Sequence, residues 1–209
     1  MISAIDAIAR LQAGNLSFVS NEPPARVGLA REARRSELTS GQEPFAIILG
    51  CSDSRVPAEI ILGQGLGDLF VVRVAGNIVA RSHVGSVEFA AEEFGTRLVV
   101  VLGHTGCGAV QATVRELERP SANRSPNLHS IVDRIRPAVE PLLSEEKRLS
   151  GEALVAAAVR ANIRASVDQL RYGSEILERL IRTEGLLVVG AEYSLETGLV
   201  EFLEEPVEG

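Results

Sequence analysis

Residues 98–108 read Leu98-Val99-Val100-Val101-Leu102-Gly103-His104-Thr105-Gly106-Cys107-Gly108. The aliphatic run Leu98–Leu102 is the strongest strand signal in the chain, and the pattern that follows over Gly106–Leu117 is helical. A strand feeding directly into a helix is the first half of a βαβ unit. The alternation continues outward on both sides. Upstream, Phe45–Leu49, ended by Gly50, and Leu69–Val74 read as strands, and Ser82–Phe94 reads as a helix with Val84, Val87, Phe89, Ala90 and Phe94 along one side. Downstream lies a polar loop over Arg119–Asn127, then helices over Leu128–Leu143, Gly151–Arg171 and Ser174–Arg182. Pro137 and Pro141 are expected to kink or shorten the first of these. Leu186–Val189 is a fourth strand, and Leu199–Leu203 would add a short one at the edge. The expected fold is therefore α/β, a mostly parallel central sheet of four to five strands flanked by helices. Sites in such sheets form at the carboxyl ends of the strands.

An N-terminal helical arm precedes this body. Residues 3–19 place Ile5, Ile8, Leu11 and Leu16 near helical spacing, with Ser3 as the N-cap. Asn21-Glu22-Pro23-Pro24 breaks the pattern, and Arg26–Leu38 is a second, more basic amphipathic segment. The expected division is an arm over residues 1–38 and an α/β domain over residues 39–209.

Composition narrows the function classes. The chain has 209 residues, 45% of them hydrophobic and 23% charged, which is ample for a core without disulfide staples. The net charge of −7 argues against nonspecific nucleic-acid binding and against docking on an anionic membrane. Residues 1–16 carry Asp6 and Arg10 within an amphipathic pattern, unlike an export signal, and no apolar run reaches the length of a membrane span. With only two cysteines, Cys51 and Cys107, the expected compartment is the reducing cytoplasm.

Both cysteines follow predicted strands. After the Phe45 strand comes Gly50-Cys51-Ser52-Asp53-Ser54-Arg55-Val56, and after the Leu98 strand come His104 and Cys107. His104 and Cys107 are three apart at a strand-to-helix junction, so both can turn toward one point. Cys51 reaches that point if its strand neighbours theirs. Cys, His and Cys suit zinc, and three protein ligands leave a tetrahedral Zn²⁺ one open position, the mark of a catalytic site. The first turn of the following helix is expected to favour the Cys107 thiolate. The alternative is bland: two cysteines in a cytosolic protein are most often small buried hydrophobes, and a lone histidine is usually a satisfied one. Against it stand the equivalent placement of both segments and the ionisable Asp53-x-Arg55 pair beside them. His83 and His129 lie on helical segments without partners and default to the surface. Gly63-Gln64-Gly65-Leu66-Gly67 follows no strand and reads as a turn.

Cys51-Ser-Asp-Ser-Arg55 followed by His104-x-x-Cys107-Gly108 resembles the β-class carbonic anhydrases, a resemblance extending from about Gln42 to Tyr193 and including Phe70-Val-Val-Arg73-Val-Ala-Gly-Asn77. It implies a zinc ion held by Cys51, His104 and Cys107, with Asp53 and Arg55 as the catalytic dyad, and reversible hydration of carbon dioxide to bicarbonate. It also implies an obligate homodimer, often paired into a tetramer, with the N-terminal arm embracing the partner and the active site at the subunit interface. Zinc lowers the pKa of bound water from 15.7 toward about 7. Two thiolates donate more charge than imidazoles, so activity is expected to climb above pH 7. Asp53 is expected to orient the zinc-bound hydroxide toward CO₂, with Arg55 holding the carboxylate and keeping it off the metal. The positions that look like the family's substrate pocket are Gln42, Phe70, Ala75, Phe89 and the Gly108 backbone N–H.

One departure separates subtypes. Some β-class enzymes bind bicarbonate at a second site and close by ligating zinc with the aspartate, using a tryptophan three residues before the first cysteine, an arginine and a tyrosine. Ile48 occupies that tryptophan position and the chain has no Trp, although Arg73 and Tyr193 are present. The expectation is a constitutively open site. The competing readings are a zinc hydrolase for a related small molecule such as carbon disulfide, and a non-catalytic zinc-binding or bicarbonate-sensing subunit. A redox protein is the weakest, because no Cys-x-x-Cys occurs.

Overall fold

The computed structural model describes residues 2–21, 31–120, 125–143 and 149–203. Its elements run α1 Ala4–Val19, α2 Arg31–Glu37, β1 Ala46–Cys51, α3 Ala58–Ile61, β2 Leu69–Val74, α4 Arg81–Glu93, β3 Leu98–His104, α5 Gly108–Glu118, α6 Pro126–Val139, α7 Gly151–Tyr172, α8 Glu175–Glu184, β4 Leu187–Tyr193 and β5 Val200–Phe202. The five strands form one sheet in the order β2-β1-β3-β4-β5. The first four are parallel and β5 joins antiparallel at the edge. The chain steps from β1 to β2 on one side, then crosses to place β3 on the other side of β1. That reversal opens a crevice beyond the carboxyl ends of β1 and β3, where open α/β sheets bind their ligands.

Strand period decides which helix covers which face. Ile47, Leu49, Val99 and Val101 point to one side, where they pack with α4, α5, α6, α7 and α8. Ile48, Val100, Leu102, Val189 and Ala191 point to the other, under Ala4, Ala7, Ile8 and Leu11 of α1 and Ala58 and Ile61 of α3. Every residue of β1 and β3 is buried, as continuous aliphatic runs in a doubly covered parallel sheet should be. Ser3 caps α1 by accepting from the Asp6 N–H at 3.1 Å. Buried Asn15 then ties α1 to the body, donating to the Ile61 and Gly198 carbonyls and accepting from the Val200 N–H. Helix α7 approaches the sheet closely at Ile163. A Cβ on Gly103 would lie 2.5 Å from Ile163 Cδ1, and one on Gly190 2.7 Å from its Cγ2, so only glycines allow that approach.

Several sequence expectations shift. Strand β3 runs on to His104, and β4 to Tyr193, beyond the aliphatic runs that announce them. Helix α5 begins at Gly108 rather than Gly106, because Cys107, with extended backbone, is its N-cap. Pro137 sits near the end of α6, which stops as an α-helix at Val139 and continues as a 3₁₀ turn over Glu140–Leu143. Phe89 is not on the buried side of α4. It lies two residues from Val87, about 200° around the helix, and is 53% exposed. His83 is more than a surface residue, since its Nδ1 accepts from the Ala80 N–H at 3.2 Å at the start of α4. The short α3 was not anticipated. The Pro23-Pro24 breaker, Arg26–Ala30 and residues 121–124 of the polar loop lie outside the described residues. No helix among the described residues is long and apolar enough to cross a membrane.

Candidate metal centre

Strands β1 and β3 are hydrogen-bonded neighbours, with Gly50 opposite Leu102. Their register delivers Cys51 and His104 to the same end of the sheet, and the turn through Thr105 and Gly106 brings Cys107 back to them. The ligating atoms of Cys51, His104 and Cys107 all lie within 4.8 Å of one another, and all three residues are buried. His104 Nδ1 is 2.9 Å from the Thr105 carbonyl. A carbonyl only accepts, so that contact places the proton on Nδ1 and leaves Nε2 with a lone pair. Nε2 is buried and has no hydrogen-bond partner among the described residues. A buried imidazole nitrogen without a partner is costly unless something absent from a bare chain satisfies it.

The charges of the cluster agree. Cys51 is held down to about 4, chiefly by the hydrogen bond from the Cys107 thiol, against the opposing effect of burial. Cys107 is correspondingly pushed up by that same bond and by burial, so the shared proton sits on Cys107. The Ala109 and Val110 amides at the start of α5 do favour the Cys107 thiolate, as expected, but they do not outweigh Cys51 and burial. Burial depresses His104, yet the neighbouring Cys51 reverses the balance and raises it. The cluster thus holds a thiolate, a soft anionic donor that favours a metal cation. The Gly76 N–H donates to Cys51 Sγ at 3.3 Å. Gly76 has φ +73°, and a Cβ there would stand 2.8 Å from Ile135 Cδ1, so a glycine is required for this approach.

Asp53 stands at the mouth of the cluster, its Oδ2 3.8 Å from His104 Nε2. Arg55 grips it with both prongs, Nε to Oδ1 at 2.9 Å and Nη2 to Oδ2 at 2.7 Å, and the Arg55 N–H donates to Oδ1 at 3.0 Å. The Arg55 guanidinium holds the Asp53 carboxyl far below the usual carboxylate range. Arg73 is spent on the same loop. Its Nε donates to the Cys51 carbonyl at 3.0 Å and its Nη2 to the Asp53 carbonyl at 2.7 Å. Tyr193 is buried opposite His104 in the β3–β4 register, and its carbonyl accepts from the Thr105 N–H.

The donor set fits zinc. Zn–S bonds of about 2.3 Å separate donors on a tetrahedron by about 3.8 Å, so this cluster needs to contract by only about 1 Å. The residues matched to a substrate pocket are less gathered. Ala75 precedes Gly76, and Gly108 opens α5 directly after Cys107. Phe70, Phe89 and Phe94 form a cluster of tilted and edge-on rings, with centroids 5.5 to 6.3 Å apart. Gln42 is exposed, in the loop before β1. Gly76 and the loop-holding role of Arg73 escaped the sequence reading. The only local signal was the Ala75-Gly76-Asn77 triplet after a strand.

Comparison with known proteins covers nearly the whole chain. A family model described as carbonic anhydrase matches residues 46–200, from the start of β1 to β5. The carbonic anhydrase of Mycolicibacterium smegmatis is 38% identical over 193 residues, 91% of this chain and 89% of that protein. The β-carbonic anhydrase CafA of Aspergillus fumigatus superposes with a TM-score of 0.74 at 26% identity, covering 96% of this chain and 93% of that one. A tetrameric β-carbonic anhydrase of Sordaria macrospora shares the fold, with a TM-score of 0.73 at 21% identity over 96% of this chain and 98% of that one. The matched region carries both ligand-bearing strand ends, and on that evidence the chain belongs to the carbonic anhydrase family, in its β class.

Proposed function

We propose that this chain catalyses the reversible hydration of carbon dioxide to bicarbonate and a proton, with one zinc ion per chain held by Cys51, His104 and Cys107. The observation that carries the reading is the convergence of three buried donors, one of them a His104 Nε2 with no hydrogen-bond partner among the described residues. Bound there, zinc supplies a Lewis acid that makes water a nucleophile near neutral pH.

The chain's own side chains do the rest. Asp53, kept ionised by Arg55, accepts a hydrogen bond from the attacking oxygen and turns its lone pair toward the carbon of CO₂. It donates no proton in this range. The two-pronged grip on both carboxylate oxygens restrains Asp53 from moving onto the metal, and Arg73 anchors the backbone on either side. This supports a constitutively open site. Arg73, committed to two carbonyls, is poorly placed to serve a second bicarbonate site. Coordination of Asp53 to zinc above about pH 8 would contradict the open form.

A small apolar pocket for uncharged CO₂ is assigned to Phe70, Ala75 and Phe89, with Gln42 and the Gly108 N–H as hydrogen-bond donors to its oxygens. Phe89 is largely exposed in one chain, and β2 is a half-buried edge strand. Both features support closure of the pocket by a second copy, with residues 1–38 as the dimerising arm. Ile5 and Leu16 on the outer side of α1 are exposed and suit that contact. A tetramer built from two such dimers is compatible with the same surfaces.

Stopped-flow CO₂ hydration by the wild type and Asp53→Ala, with zinc content measured on both, tests the reading. The expected result is one zinc per chain in each, activity in the wild type that climbs above pH 7, and a large loss in the variant. A fully zinc-loaded wild type without activity, or a rate already level at about pH 6, would contradict it.

A further inference from the structure

Helix α7 touches the metal centre's support without contributing a ligand. Asn162, 2% exposed, sits among Ala158, Val159 and Ile163 on the core face of that helix. Its Nδ2 donates to the Gly76 carbonyl at 2.8 Å. One turn on, Ser166 Oγ donates to the Asn77 carbonyl at 3.2 Å. Both carbonyls belong to the turn after β2 whose Gly76 N–H donates to Cys51 Sγ. Gly76 and Asn77 have φ of 73° and 44°, a left-handed pair that persists only where the surroundings hold it. An amide buried on an apolar helix face is costly unless it is paired, and here its donor is paired with this turn.

We propose that Asn162, backed by Ser166, is a positioning residue that aims the Gly76 N–H at the Cys51 sulfur and so sets the grip of Cys51 on the metal. The proposal rests on the zinc reading above. Asn162 does not polarise the donor, because the Gly76 carbonyl and the Gly76 N–H belong to successive peptide groups. It fixes the rotation of the residue between them. Groups that orient and hydrogen-bond metal ligands are worth about ten- to a hundredfold in metal affinity, and an indirect hold belongs at the low end.

The test titrates metal-free wild type, Asn162→Ala and Leu170→Ala with Zn²⁺ against a chromophoric chelator, and records the sulfur-to-cobalt charge-transfer band of each Co²⁺ form. Leu170 is buried further along α7 and has no part in the turn. The expected result for Asn162→Ala is a roughly tenfold weaker zinc affinity and a band moved to longer wavelength, because a thiolate that loses its N–H donor gives up charge more easily. Leu170→Ala should lower the thermal midpoint and change neither. If Asn162→Ala does not fold, Asn162→Leu fills the amide's volume without its donor and carries the same expectation. Unchanged affinity and band in a folded Asn162 variant overturn the proposal, and so does weakened affinity with an unmoved band. An equal affinity loss in Leu170→Ala also overturns it. A wild type that takes up no zinc overturns the zinc reading instead.

Discussion

The two ends of this site are built differently. At the ligand end, Cys51, His104 and Cys107 are buried, fixed by neighbouring strands and a helix cap, and brought together by one chain. At the proposed substrate end, Phe89 is 53% exposed, Gln42 is exposed, and β2 is the edge strand of the sheet among the described residues. The backbone hydrogen bonds of a parallel sheet can be completed within a single fold, so they place ligands without help. An apolar wall for CO₂ needs a second surface, and this chain leaves that side open. The contrast teaches that metal uptake should belong to the single chain and turnover to the assembly.

The largest expected effect breaks the ligand end outright. His104→Ala should weaken zinc binding by more than about a hundredfold and abolish hydration, read by metal analysis after dialysis and by stopped flow. Zinc retained at one per chain would place the metal elsewhere. The next separates the two ends. Phe89→Glu puts a charge on the exposed aromatic cluster and should shift the chain toward monomer in analytical ultracentrifugation. Hydration should fall about tenfold while zinc content stays unchanged. Loss of zinc along with assembly would erase the distinction drawn above. A smaller effect probes the packing behind the ligands. Gly103→Ala drives a methyl against Ile163 and should cost about 1–3 kcal/mol, a few degrees in thermal midpoint, by calorimetry. Phe89→Ser, on the open side, should change the thermal midpoint of the single chain far less.

The smallest effect concerns Asp53 alone. Its folded-state value is depressed, so the stability it contributes is present above about pH 4 and is lost as the pH falls toward its own lower value. Metal-free wild type should therefore exceed Asp53→Asn in thermal midpoint at pH 7, and the gap should narrow below about pH 4. A gap independent of pH would remove the Arg55 grip from the account.

Much of this was legible beforehand, for local reasons. Aliphatic runs announce β1 to β4, and Cys51 and His104 fall just past two of them because strand ends are where such sheets carry chemistry. The adjacency of β1 and β3 was the condition for Cys51 to meet the other two, and only the topology could supply it. What the sequence concealed is non-local. Asn162 lies 86 residues from Gly76, and no spacing rule joins a helix interior to a distant turn. Arg73 reads as a residue available for a second bicarbonate site until the loop carbonyls it holds are seen. Phe89 was misplaced because α4 carries apolar residues on two sides, one for the core and one that a single chain leaves open.

The central claim is that three side chains of one chain hold one metal ion and leave it a position for solvent. Zinc-edge X-ray absorption on the wild-type protein, loaded to one ion per chain, tests it most directly. The expected shell has two sulfurs at about 2.3 Å and two lighter atoms at about 2.0–2.1 Å. A shell with fewer than two sulfurs, or with more, would contradict it.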